Sequence, residues 1–145
     1  MDLKIVLSNI AARWNYKLDE LSPGVFRMDV ALKMKDGSFR YQFVYIWIIP
    51  GRYMGKDVVY MNSRCGEFSP NLNLYKLLKE SGCGTYCSIT VTTDKRADGS
   101  PCETVIAQAV QPIQYTNEEI LNEVIYDVAY NADIVEEVYF GGDNN

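Results

Sequence analysis

The chain has 145 residues, 48% of them apolar and 23% charged, with a net charge of −5 and no histidine. Length and composition fit one globular domain and exclude a disordered or fibrous chain. The missing histidine removes Ser-His and Cys-His catalysis and histidine-ligated zinc.

Residues 1–9 lack a basic leader followed by a continuous apolar run, and Arg13 and Lys17 interrupt the apolar positions beyond them. Neither a signal peptide nor a membrane-spanning helix is expected, and a cytoplasmic location is. Leu3, Val6, Leu7, Ile10, Trp14, Leu18 and Leu21 recur at three- and four-residue spacing, which predicts an amphipathic helix over 2–20 ended by Pro23-Gly24. The period then changes to two. Phe26, Met28, Val30, Leu32 and Met34 alternate with Arg27, Asp29, Ala31 and Lys33, and Asp36-Gly37 reads as a hairpin turn into a second strand.

A two-residue loop there sets Met34 opposite Phe39, Leu32 opposite Tyr41, Val30 opposite Phe43, Met28 opposite Tyr45 and Phe26 opposite Trp47, all on the core face. Val44, Ile46 and Ile48 then point the other way. Two readings of that apolar second face stay open: cover by another part of the chain, or an interaction surface.

Pro50-Gly51 and Gly55 break the second strand, and 56–61 reads as a short third one. Ser69-Pro70 predicts a helix start, Leu72, Leu74, Leu77 and Leu78 its apolar side, and Gly82 its end. Residues 86–93 and 103–110 read as a strand pair around a polar turn. Thr116-Asn117-Glu118-Glu119 reads as a capping box opening a helix to about residue 139, stopped by Gly141-Gly142. The predicted order is α-β-β-β-α-β-β-α: a single α+β domain over 1–140, with helices on one face of an antiparallel sheet and a short tail at 141–145.

All 14 basic residues lie within 1–96, whereas 97–145 carry ten acidic residues and no base. Interleaving with Ile120, Leu121, Val124, Ile125 and Val128 makes this acidic half a folded amphipathic helix rather than a tail. Such a charge balance argues against nucleic-acid binding.

The element order and three stretches resemble the type III secretion chaperone-like proteins, including the YbjN-type bacterial sensory transduction regulators. Residues 59–68 followed by Asn71-Leu72-Asn73-Leu74-Tyr75-Lys76-Leu77-Leu78 are similar to that family's strand, loop and leucine-rich second helix. Residues 83–93 are similar to its small-residue link into the next strand. Tyr115-Thr116-Asn117-Glu118-Glu119-Ile120-Leu121, running on to Val128-Ala129-Tyr130-Asn131-Ala132-Asp133, resembles its final helix. The resemblance implies a cytoplasmic homodimer that binds protein segments, without enzymatic activity or cofactor. Val44, Ile46 and Ile48 are the expected partner contacts, with Tyr60 beside them.

The cysteines, Cys65, Cys83, Cys87 and Cys102, supply the alternative, a metal-binding or redox protein using Cys83 and Cys87. Those two have three intervening residues, where zinc knuckles and thioredoxin-like motifs use two, and Cys87 alternates in phase with Ile89 and Val91, so packing thiols are expected. Glu118, Glu119 and Glu123 lie at helical spacing, but first-turn acids serve the helix dipole and no pocket motif accompanies them.

Overall fold

A computed structural model of the chain describes residues 1–141. Helix α1 spans Leu3–Trp14, strands β1 to β4 span Lys17–Ser22, Val25–Lys33, Phe39–Tyr53 and Lys56–Glu67, and α2 spans Leu74–Ser81. Strands β5 (Ser88–Lys95) and β6 (Pro101–Pro112), a 3-10 turn at Ile113–Tyr115 and helix α3 (Glu118–Phe140) follow. The strands form one six-stranded antiparallel sheet in the order β1-β2-β3-β4-β6-β5. The element order is α-β-β-β-β-α-β-β-α, one strand more than expected.

The additional strand comes from the predicted first helix. Asp2 caps α1 by accepting the Ile5 amide, and the helix stops at Asn15, which takes a left-handed conformation (φ 57°) that asparagine tolerates. Leu18 and Leu21 therefore lie on β1, a mostly exposed edge strand paired with β2. At α3 the cap is Asn117 rather than Thr116, its side chain accepting the Ile120 amide, and Gly141 closes the helix with φ 75°. Asn73 caps α2, so Ser69-Pro70 lies in the turn before it. Of the expected tail, residues 142–145 lie outside the described residues.

The β2–β3 hairpin differs from expectation by one residue. Its loop is Lys35-Asp36-Gly37: Met34 donates to the Ser38 carbonyl at 2.8 Å and Gly37 to the Met34 carbonyl at 3.0 Å. Gly37 takes φ 87°, which completes a turn-plus-bulge hairpin. The Asp36 carboxylate accepts the Ser38 amide and hydroxyl, and those bonds hold it below its ordinary pKa. The register becomes Leu32 with Arg40, Val30 with Gln42, Met28 with Val44 and Phe26 with Ile46. A one-residue shift sends every β3 side chain to the opposite face.

Val44 and Ile46 are consequently core residues, fully buried, and Ile48 is half-buried against the same core. The expectation that these three form an outward partner-binding surface is corrected: they lie under α1 and α3 with Leu7, Ile10, Met61, Val128 and Ala132. The aromatic residues expected in the core point outward.

Strands β3 and β4 are paired from Tyr45 onward, opposite Asn62. Before that point Gln42 Nε2 donates to the Arg64 carbonyl (2.7 Å) and Ser63 Oγ to the Phe43 carbonyl (2.6 Å), so two buried polar side chains stand in for ladder bonds. Arg40 forms ion pairs with Asp133 (3.0 Å) and Glu137, tying the end of α3 to β3. A Cβ at Gly66 would run into the Phe140 ring, so glycine permits that close packing.

The register is directly testable by denaturant unfolding. Ile46→Ala is expected to cost about 2–5 kcal/mol, the range for a buried aliphatic truncation, whereas Tyr41→Ala is expected to stay within about 0.5 kcal/mol. The opposite ranking would restore the two-residue loop.

Candidate functional site

Helices cover one face of the sheet. On the other, alternation along β3 presents Phe39, Tyr41, Phe43, Tyr45, Trp47 and Ile49, and Phe39, Tyr41 and Phe43 are exposed. Tyr60 joins them from β4. It lies directly across from Trp47, with ring centroids 4.7 Å apart and planes tilted by 51°. Of the four expected contact residues, Tyr60 is the one on this face.

Several polar groups around the aromatic row are paired with one another, while Asp29 Oδ1 is buried without a hydrogen-bond partner among the described residues. Tyr60 Oη donates to Gln108 Oε1 at 2.9 Å and accepts from Asn62 Nδ2 at 3.4 Å. Arg27 lies over the Phe43 ring, 4.8 Å from its centroid, and pairs with Asp19 at 2.9 Å. Arg64 pairs with Asp94. Burial raises the pKa of Asp29, offset in part by Arg27 and Lys17. Between Trp47, Tyr60, Arg64 and Asp94 the face dips into a cavity of about 350 Å³, floored by Ile106. The arrangement offers apolar ring surface with partly paired polar edges, suited to non-covalent contact.

The cysteine pair is held differently. Cys83 is exposed and Cys87 buried, its Sγ 3.8 Å from the Asp127 carbonyl oxygen. Burial, with Asp127 nearby, pushes the Cys87 thiol up to about 12, and burial raises Cys65 as well. A thiol so raised is protonated at neutral pH and is a poor nucleophile or metal ligand. Among the described residues no three potential metal ligands converge. The loop carrying this pair is latched to α3: the Asp127 carboxylate accepts the amides of Thr85 (3.3 Å), Tyr86 (2.8 Å) and Cys87 (3.1 Å).

Sequence reasoning missed Trp47, Phe43 and Tyr41 as surface residues although it found their alternation, because parity depended on the turn. Among the described residues no helix is long and apolar enough to cross a membrane. Compared with known protein families, curated proteins and solved structures, the chain matches none.

Thiol accessibility yields a prediction. With a colourimetric thiol reagent at neutral pH, Cys83 is expected to react at once, and Cys65 and Cys87 only after denaturation. The folded chain keeps Cys87 protonated to about 12, while an unfolded thiol ionises near its ordinary value of 9.0. Stability should therefore fall as pH rises between those values, and Cys87→Ala should flatten that fall.

Proposed function

We propose that this chain is a non-enzymatic, chaperone-like protein-binding module that sequesters an apolar segment of a partner protein on the aromatic face of its sheet. The observation that carries the reading is that face itself: a row of rings on β3, exposed from Phe39 to Phe43 and half-buried at Tyr45 and Trp47, whose two neighbouring arginines are already paired. Contiguous exposed apolar surface of this kind marks interaction sites. Element order supports the chaperone-like assignment, since β2 to β4, α2, β5, β6 and α3 follow the order that the resemblance implies, with β1 added at an edge. A homodimer is part of the same proposal and rests on the resemblance.

The ring-lined face favours an uncharged segment. Aromatic sheet faces that bind single-stranded nucleic acid combine stacking with an uncompensated basic track. Here Arg27 and Arg64, the arginines beside the rings, are neutralised by Asp19 and Asp94, on a chain of net charge −5. Binding without chemistry would act by mass action, holding the partner segment away from aggregation.

An array of short unbiased peptides, probed with tagged wild-type and Trp47→Asp protein, tests this. Wild type is expected to retain peptides rich in aliphatic and aromatic residues, and Trp47→Asp to lose them while keeping its circular dichroism. Equal retention by both proteins would overturn the assignment of the face. Conversion of a wild-type dimer to a monomer by Trp47→Asp, with peptide binding unchanged, would make the face a subunit interface instead.

A further inference from the structure

Helix α3 carries a second apolar row that the core does not use. Its buried side supplies Leu121, Val124, Ile125, Val128, Ala129 and Ala132. On its outer side Tyr126, Tyr130, Ile134 and Val138 recur every fourth residue and are 41%, 45%, 41% and 62% exposed. Side chains four apart form one ridge along a helix, and this one extends about 18 Å at 1.5 Å per residue. The Tyr126 and Tyr130 rings stack, 6.1 Å apart and within 12° of parallel. Around them lies a groove of about 640 Å³, lined also by Trp14, Tyr16, Lys33, Phe39 and Tyr86.

Charge identifies the occupant. Helix α3 contains seven acidic residues and no basic one. Asp133 and Glu137 pair with Arg40, Asp127 holds three loop amides and Glu136 is buried, which leaves Glu118, Glu119 and Glu123 to set the charge beside the ridge. Glu119, Glu123 and Asp127 form the neighbouring row, with Glu123 accepting the Tyr86 hydroxyl at 2.8 Å. Next to the groove, Glu118 and Glu119 line a further hollow with Arg13. A second copy's α3 brings no basic residue to meet those carboxylates, whereas a basic partner helix does.

We infer that the outer ridge of α3 is a docking site for a basic amphipathic helix of a partner protein. Apolar side chains of that helix, also spaced by four, would interdigitate with Tyr126, Tyr130, Ile134 and Val138, a packing that crosses helices at about −50°. Its lysines or arginines would meet Glu119 and Glu123, and the tyrosine faces add cation–π attraction. The groove reaches Phe39 of the sheet's aromatic row but not Trp47 or Tyr60, and the inference does not rest on the function proposed for that row.

The test uses two labelled synthetic peptides of about 18 residues, long enough for the ridge at 1.5 Å per residue. Both carry the same leucine row at every fourth position, flanked by lysine in one and by glutamate in the other. Fluorescence anisotropy at low salt is expected to show the lysine peptide bound at least about tenfold more tightly, with Tyr130→Lys or Ile134→Lys weakening it about tenfold or more. Added salt should weaken it further, and Trp47→Asp should leave it unchanged. Circular dichroism confirms the fold of each variant, and Ile134→Ser replaces any that fails. Equal affinity for the two peptides, no binding, or indifference to both ridge substitutions would overturn the inference. Loss of binding in Trp47→Asp would move the peptide to the sheet face and overturn it too. Wild-type self-association abolished by Ile134→Ser would assign the ridge to a second copy, which also overturns it.

Discussion

The left-handed backbone of Gly37 is the constraint on which the rest of the structure depends. With Gly37 at φ 87° and Ser38 bonded to Asp36, the loop holds three residues, and the β3 side chains follow from that count. Even positions on β3 then meet Met28 and Phe26 beneath the helices, and odd positions carry their rings outward. The distal hairpin adopts the same solution. Arg96 donates to the Ser100 carbonyl, Gly99 takes φ 84°, and Asp98 accepts the Ser100 amide and hydroxyl. Lys35-Asp36-Gly37-Ser38 and Ala97-Asp98-Gly99-Ser100 are thus one turn used twice. Serine after the glycine matters because its amide and hydroxyl tie down the aspartate.

Core volume favours the same parity. Small Ala129 and Ala132 on α3 let that helix sit close to the sheet, where Val44 and Ile46 fit beneath it. Five consecutive aromatic positions there would need a deeper layer than those alanines leave. Placing the rings outward costs exposed apolar surface, and that surface is what distinguishes the uncovered face.

Much of the fold was legible in the residues. The period-two runs of β2, β3 and β5 and the long amphipathic pattern of α3 mark their elements, because each has one face in the core. Strand β6, buried continuously over 104–107, was legible only as the partner of β5 across a polar turn. Two features were not legible for identifiable reasons. Leu18 and Leu21 continue the spacing of Trp14, so a helix and a strand explain them equally well until Asn15 turns left-handed. An Asp-Gly pair marks a hairpin without stating its loop length, and one residue of difference exchanges core for surface. Tyr60 is expected beside Val44, Ile46 and Ile48 with its register open, and it is the pairing of Trp47 with Tyr60 that puts it on the ring face. Val44, Ile46 and Ile48 could not be placed, because their parity is the quantity the turn decides.

The concentration of acid in the C-terminal half is partly structural. Asp127 spends its carboxylate on three loop amides, Asp133 pairs with Arg40 across to β3, and Glu123 holds Tyr86. These bonds draw donors from the N-terminal half and from a loop that precedes β5, so charge segregation along the chain becomes attraction in space. The two exposed surfaces therefore differ in kind. Around the rings, Arg27 and Arg64 have their own aspartates, so the segment proposed for that face would gain mainly from apolar contact. Along α3, Glu119 and Glu123 flank exposed tyrosines on a helix that has no base of its own, so the basic helix inferred for that ridge would gain twice, from the carboxylates and from the ring faces.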